Sequence, residues 1–137
     1  MKQIILRILA TLLCIAAAPL LAAAPGKIEA SYNVIGFGMT LASITETFIR
    51  TDDNYEILSV TKAVGLLARL KPETIHVISK GKVTPQGLVP LSYSLTRTAD
   101  THKNASAKFN WEKSTLTHND YKGVLDLPLT RGTQDRL

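Results

Sequence analysis

Three histidines, His76, His102 and His118, are the side chains best suited to bind a metal or move a proton near neutral pH. Metal ligands must converge, which on a strand favours spacing i, i+2 and on a helix i, i+4. No pair of these histidines has either spacing. His76 alternates with Lys80 and Lys82, as a solvent-facing strand residue does, and His102 and His118 lie in or beside polar turns. The run His118-Asn119-Asp120 has the composition to orient an imidazole, but no nucleophile accompanies it and no G-x-S-x-G elbow is present. Glu29, Glu46, Glu56 and Glu112 fall on different strands. Carboxylates paired for glycoside hydrolysis must face each other across a cleft, and nothing in their order puts two together. Asn104-Ala105-Ser106 matches the glycosylation sequon. No catalytic residue, metal site or cofactor is therefore expected, and a hydrolase is kept only as a minor alternative.

The residues that stand out are apolar. "GLLARLKP", Gly65 to Pro72, places Leu66, Leu67 and Leu70 on one side of a helical turn that Pro72 cannot continue. Burying a leucine stabilises a fold by roughly 1.5–3 kcal/mol, so three in a loop must be buried or used. They either plug one end of a sheet or form a lip over an apolar ligand, with Arg69 and Lys71 at the rim. Tyr93, Phe109 and Trp111 fall on apolar strand faces, where they serve as core or line a cleft. These six residues are the candidate ligand-binding set.

The elements that must position them alternate with period two, the mark of half-buried strands. "KIEASYNV" sets Ile28, Ala30, Tyr32 and Val34 against Lys27, Glu29, Ser31 and Asn33. Turn residues follow at Gly36 and Gly38, at Thr51–Asn54, at Thr84–Gly87 and at Ala99–Asn104. "MTLASITETFIR", "YEILSVTKAV", "ETIHVISKGKV" and "LVPLSYSLTRT" lie between them; in the last, Leu91, Tyr93 and Leu95 oppose Ser92, Ser94 and Thr96. "SAKFNWE" carries Ala107, Phe109 and Trp111 on one face, and "TLTH" returns from it. After Tyr121 the pattern loosens into a loop. About seven strands joined in order predict an all-β antiparallel meander, curved or forming a partly open barrel.

The first 24 residues differ in kind. Lys2 and Arg7 precede an uncharged run from Ile8 to Ala24 that ends in small residues, the layout of a secretory signal peptide. The cut falls among Ala22–Ala24, and the domain is taken as 25–137. The alternative is an uncleaved anchor in the inner membrane, since 17 uncharged residues reach the short limit of a span. Cys14, the one cysteine, leaves with the signal peptide. So do Lys2 and Arg7, leaving 14 basic against 11 acidic residues, a net charge near +3. Scattered charges of that size do not suit nucleic acid.

Several stretches in fixed order carry a resemblance. Tyr55, Gly65-Leu66-Leu67-Ala68, Gly81 and Val83 are followed by Gly87-Leu88, Pro90 and Tyr93, then Phe109, Trp111, Leu127-Pro128, Gly132, Gln134 and Asp135. In this order the chain resembles a family of exported bacterial proteins, domain of unknown function 3108. The resemblance implies an antiparallel β fold outside the cytoplasm and no particular reaction. It also implies that the Gly132-Thr133-Gln134-Asp135 step leads, in relatives, to a short helix and further strands. This chain is accordingly expected to be an N-terminal portion of the whole, with Thr133 or Asp135 capping a helix near Arg136. The expected role is non-enzymatic: a periplasmic cell-envelope protein holding a lipid-like ligand in a concave sheet. The alternative is an assembly module that binds another envelope protein through a sheet edge.

Overall fold

A computed structural model describes residues 26–135. The signal-peptide reading and the helix expected near Arg136 lie outside the described residues. Eight strands run β1 (Lys27–Gly36), β2 (Met39–Thr51), β3 (Asn54–Ala63), β4 (Thr74–Thr84), β5 (Gly87–Arg97), β6 (Ala105–Asn110), β7 (Thr115–Asp120) and β8 (Gly123–Pro128). A short helix, α1 (Gly65–Leu70), joins β3 to β4, and a 3-10 turn at Thr101–Lys103 joins β5 to β6. Every strand pairs antiparallel with its neighbour in sequence, so the sheet order is β1 to β8, and β1 does not close onto β8. The predicted meander is the fold.

Two expectations are corrected. The loop foreseen after Tyr121 is strand β8, paired from Asp120↔Gly123 to Thr115↔Pro128. It escaped notice because Val124, Leu125 and Leu127 put apolar groups on both faces of an exposed edge strand, so no period shows. Conversely, Trp111 and Glu112 do not extend β6. They open a four-residue turn closed by Ser114 in the left-handed region (φ 51), with Asn110 Oδ1 accepting from the Lys113 N–H at 2.9 Å.

The sheet has two faces, and the register aligns them across the molecule. Ile28, Phe48, Ile57, Ser79, Tyr93, Ala107, His118 and Leu125 form one cross-strand row on the face we call inner. Lys27, Glu56, Lys80, Ser92, Lys108 and Thr117 belong to the outer face. There Lys80 meets Glu56 at 2.9 Å, an exposed cross-strand pair that contributes little to stability. A bulge breaks this alternation in β5: Lys80 pairs with Ser92 and Gly81 with Pro90, leaving Leu91 unpartnered. Leu91 therefore leaves the face of Tyr93 and Leu95, against expectation, and lines shallow outer-face clefts with Ile49 and Val89. The inserted residue restarts the alternation, which composition alone does not reveal. Pro90 fits this place because a bulge does not require its missing N–H.

The core is small and lies under the last described segment. After β8 the chain folds back, and Leu129 packs with Ala107 and Phe109, bordered by Tyr93, Trp111 and Leu116. The Leu129 N–H donates to Ser114 O at 2.9 Å, and Gln134 Nε2 reaches Leu88 O at 3.1 Å. Beneath this strap, Ser79 Oγ donates to the Asp135 carboxylate. Its only proton being committed there, Ser79 accepts from the Tyr55 hydroxyl at 3.1 Å. Thr133 bonds back to Thr130 O in a local turn. Within the described residues, Thr133 and Asp135 thus serve a turn and a buried clasp.

Candidate functional site: an open apolar face with a leucine helix at one end

The strap covers the centre of the inner face and leaves its flanks open. On β1, Ile28, Tyr32 and Val34 are 41–52% exposed although they point to the apolar side. On β8, Leu125 and Leu127 are likewise exposed and share that face through their pairing with His118 and Leu116. Between the β1 flank and the strap lies a half-buried surface of Ala42, Ile44, Phe48, Ile57 and Ile75. Phe48 stacks on Tyr55 with ring centroids 6.3 Å apart and planes 15° apart. Glu46 sits within this surface, accepting a long 3.4 Å hydrogen bond from Ser59 Oγ. The face is thus largely apolar with one carboxylate in its midst.

Helix α1 stands at one end of this face, placed there by a second bulge. Val34 pairs with Ala42 and Ile35 with Thr40, so Leu41 is the extra residue on β2. Its carbonyl, freed from the ladder on that side, accepts the Val64 N–H at 2.9 Å. Val64 is extended (φ −133), and Gly65 enters the helix in the left-handed region (φ 59), which glycine adopts without steric cost. Lys71 N–H closes on Leu67 O, and Pro72 ends the helix. Leu67 caps a largely apolar cleft of about 160 Å³ with Ala42, Thr61, Ala63 and Ile75, flanked by Lys71 and Glu73. This lies well below the roughly 300–1,000 Å³ of a site for a whole small molecule. Glu73 is held by Arg97, whose Nε and Nη2 lie 3.2 and 2.5 Å from its two oxygens. That hydrogen bonding keeps the carboxyl below its usual range.

The six candidate residues do not form one site. Leu66, Leu67 and Leu70 belong to α1, which packs on β2 and β3. The helix is not a sealed plug, for Leu66 is 57% and Leu70 75% exposed. Tyr93, Phe109 and Trp111 gather around Leu129 under the strap. Phe109 and Trp111 stack at 6.3 Å, and Trp111 Nε1 donates to Pro90 O at 2.7 Å. They serve as core. Sequence reasoning missed Phe48, Glu46 and the exposed side chains of β1 and β8; the alternation of β1 and β2 carried the signal for the first, and β8 had none.

The histidines stay apart. His76 is exposed on the outer face, as its alternation with Lys80 indicated. His118 lies within β7 rather than beside a turn, its Nε2 3.4 Å from Asp120 Oδ2. Glu29 pairs with Lys27, Glu56 with Lys80, and Glu112 lies in the turn after β6, so only Glu46 of the four carboxylates is on the inner face. Among the described residues no three His, Cys, Asp or Glu side chains cluster as metal ligands, and no helix is long and apolar enough to cross a membrane.

An open antiparallel meander, strapped across one face by the segment that follows β8, defines the class. The chain belongs to the family described as Protein of unknown function (DUF3108), which matches residues 27–137. No curated protein and no solved structure matches it.

Proposed function

We propose that this is an exported protein of the cell envelope that holds an apolar, lipid-like ligand against the open inner face. The observation that carries this reading is the exposure of Ile28, Tyr32 and Val34 on the same face as the Leu67 cleft. Contiguous apolar surface of this kind is rare on a monomer without a use for it. The acyl chain would lie along β1 and β2 with its end under Leu67, and Glu46 would meet a hydroxyl or amine of the ligand. The basic, then apolar, then small-residue N-terminus supports export to the periplasm, with an inner-membrane anchor as the alternative. Native mass spectrometry of the protein recovered from the envelope tests this. Bound lipid, released by Ala42→Trp or Ile75→Trp, is the expected result. Uniformly ligand-free protein with nothing in the solvent extract would sink the reading.

A second reading rests on the edges. Strand β8 is exposed along its whole length, and its outer N–H and C=O groups face no strand among the described residues. Such an edge accepts an added strand from another envelope protein. Crosslinking in cells from position 124 separates the two readings: protein adducts there favour strand addition, and lipid adducts from β1 favour the carrier.

A further inference from the structure

Val124 (68%) and Tyr121 (65%) are exposed on the β7–β8 hairpin, but the three most exposed large apolar side chains among the described residues lie elsewhere. Phe37 (97%) and Ile35 (70%) are at the β1–β2 hairpin end, with Met39 (47%) beside them, and Leu70 (75%) is on α1 with Leu66 (57%). The two segments adjoin. The Val64 N–H bonds Leu41 O at 2.9 Å, and a Cβ on Gly65 would lie 3.4 Å from Thr40 O. The first turn of α1 therefore sits beside the start of β2, two residues from the hairpin tip.

The tip itself is unusual. Phe37 (φ 53) and Gly38 (φ 71) are both left-handed, the pattern of a two-residue turn that favours Asn-Gly. A bulky side chain in that region is strained, and at 97% exposure the ring returns no packing to its own fold. Asparagine would suit the turn better, so the phenylalanine answers to something outside the chain. The charges indicate what. From Ile35 to Leu41 the tip has no charge, and from Val64 to Pro72 the only ionic side chains are Arg69 and Lys71. Apolar groups at an apex with cations set beside them match the layering of a phospholipid surface, acyl chains beneath phosphates.

We propose that the β1–β2 turn and α1 form a membrane-docking tip. Phe37, Leu66 and Leu70 enter the interfacial layer of an anionic phospholipid bilayer, and Arg69 and Lys71 lie against lipid phosphates. This surface adjoins the inner face, with Lys71 at their common border: Leu67 lines the cleft, while Leu66 and Leu70 do not. A tip that reaches the bilayer would bring the cleft beside its source of lipid, but docking does not depend on the cleft being filled.

The test is co-sedimentation with vesicles of phosphatidylethanolamine and phosphatidylglycerol, and with vesicles of phosphatidylcholine alone. Wild type and variants all carry the same N-terminus. Phe37→Asn is expected to lower partitioning about tenfold, the effect of losing roughly 1.4 kcal/mol of insertion. Its thermal midpoint should hold or rise, because the turn is relieved. Leu66→Ser with Leu70→Ser gives a similar loss. Arg69→Gln with Lys71→Gln removes the preference for anionic vesicles. Val124→Ser, at an apolar position on β8 whose exposure (68%) lies between those of Leu66 and Leu70, is expected to bind as wild type. Wild-type partitioning by Phe37→Asn, or an equal loss in Val124→Ser, would overturn the proposal. So would a change in self-association in place of vesicle binding, which would assign the tip to a second copy of the chain. Failure of the inner-face reading reads out separately, as an absence of extracted lipid.

Discussion

Gly81 leaves no space for any other residue. A Cβ there would stand 2.1 Å from Val89 O, 2.7 Å from Tyr55 Cε1 and 2.9 Å from Pro90 Cα. Two of these neighbours are backbone of the β5 bulge and cannot move aside, so the strand would have to separate. We expect Gly81→Ala to cost at least the upper end of the roughly 1–3 kcal/mol of overpacking, read as a lowered denaturant midpoint or insoluble protein. A midpoint equal to wild type would show that the bulge is pliable. The Tyr55 ring lies across this glycine, and its hydroxyl ends in the Ser79–Asp135 clasp. Burial, and then the nearby Asp135 charge, raise its pKa from the ordinary tyrosine value of 10.0. With the folded pKa above the unfolded value, Tyr55's contribution is fully present below pH 10 and is lost as pH rises through the folded value. Urea titrations from pH 8 to 11 are expected to show stability falling at the alkaline end in wild type and falling less in Tyr55→Phe. Equal slopes would remove Tyr55 as the source. Ser79, with no exposed surface, holds two polar groups at once. Its replacement by alanine leaves both short of a partner, at about 1–3 kcal/mol.

Strands β2 to β5 run 10–13 residues, whereas β6 to β8 run six each. The short half is held mainly by Leu129, 6% exposed, which reaches back from beyond β8 onto Ala107 and Phe109. Leu129→Ala is expected to cost roughly 2–5 kcal/mol, as other buried leucine truncations do. In hydrogen exchange it should release β6–β8 before β2–β5. Uniform loss of protection across all eight strands would show that the sheet opens as one unit. These elements also mark what the sequence revealed. The long strands were legible because Ile28, Ala30, Tyr32 and Val34, like Ile75 and Val77, alternate with polar residues over enough positions to fix a period. β8 was not, since six residues with Leu125 inward and Val124 outward carry none. Leu91 was assigned to the wrong face because a bulge is a feature of pairing, invisible in one strand alone. The α1 leucines were legible as a helical turn, but not that Leu67 and Leu70 would part company. Phe37 was hidden by its flanking glycines, which mark a turn and say nothing of what the turn presents.

At the scale of the molecule, the buried apolar set among the described residues is short: Tyr55, Pro90, Ala107, Phe109 and Leu129. The inner flanks and the hairpin tip stay in contact with solvent, so the native protein presents surface that other folds of this size bury. The folded chain is expected to enhance 1-anilinonaphthalene-8-sulfonate fluorescence well below its unfolding temperature. Added fatty acid or short-chain phospholipid should reverse that enhancement and slow aggregation on heating. A native state without dye binding would mean that the flanks close in solution. The strap has a further consequence for how the chain acquires its structure. In a meander each strand meets its partner as soon as the next turn is made, so pairing can advance from the N-terminus as the chain is synthesised. The clasp breaks that rule, since Ser79 and Asp135 are 56 positions apart. Until Asp135 arrives, the hydroxyls of Ser79 and Tyr55 face an unroofed sheet. Locking of the eight strands therefore waits until Asp135 has emerged, well after Ser79 has been placed in β4.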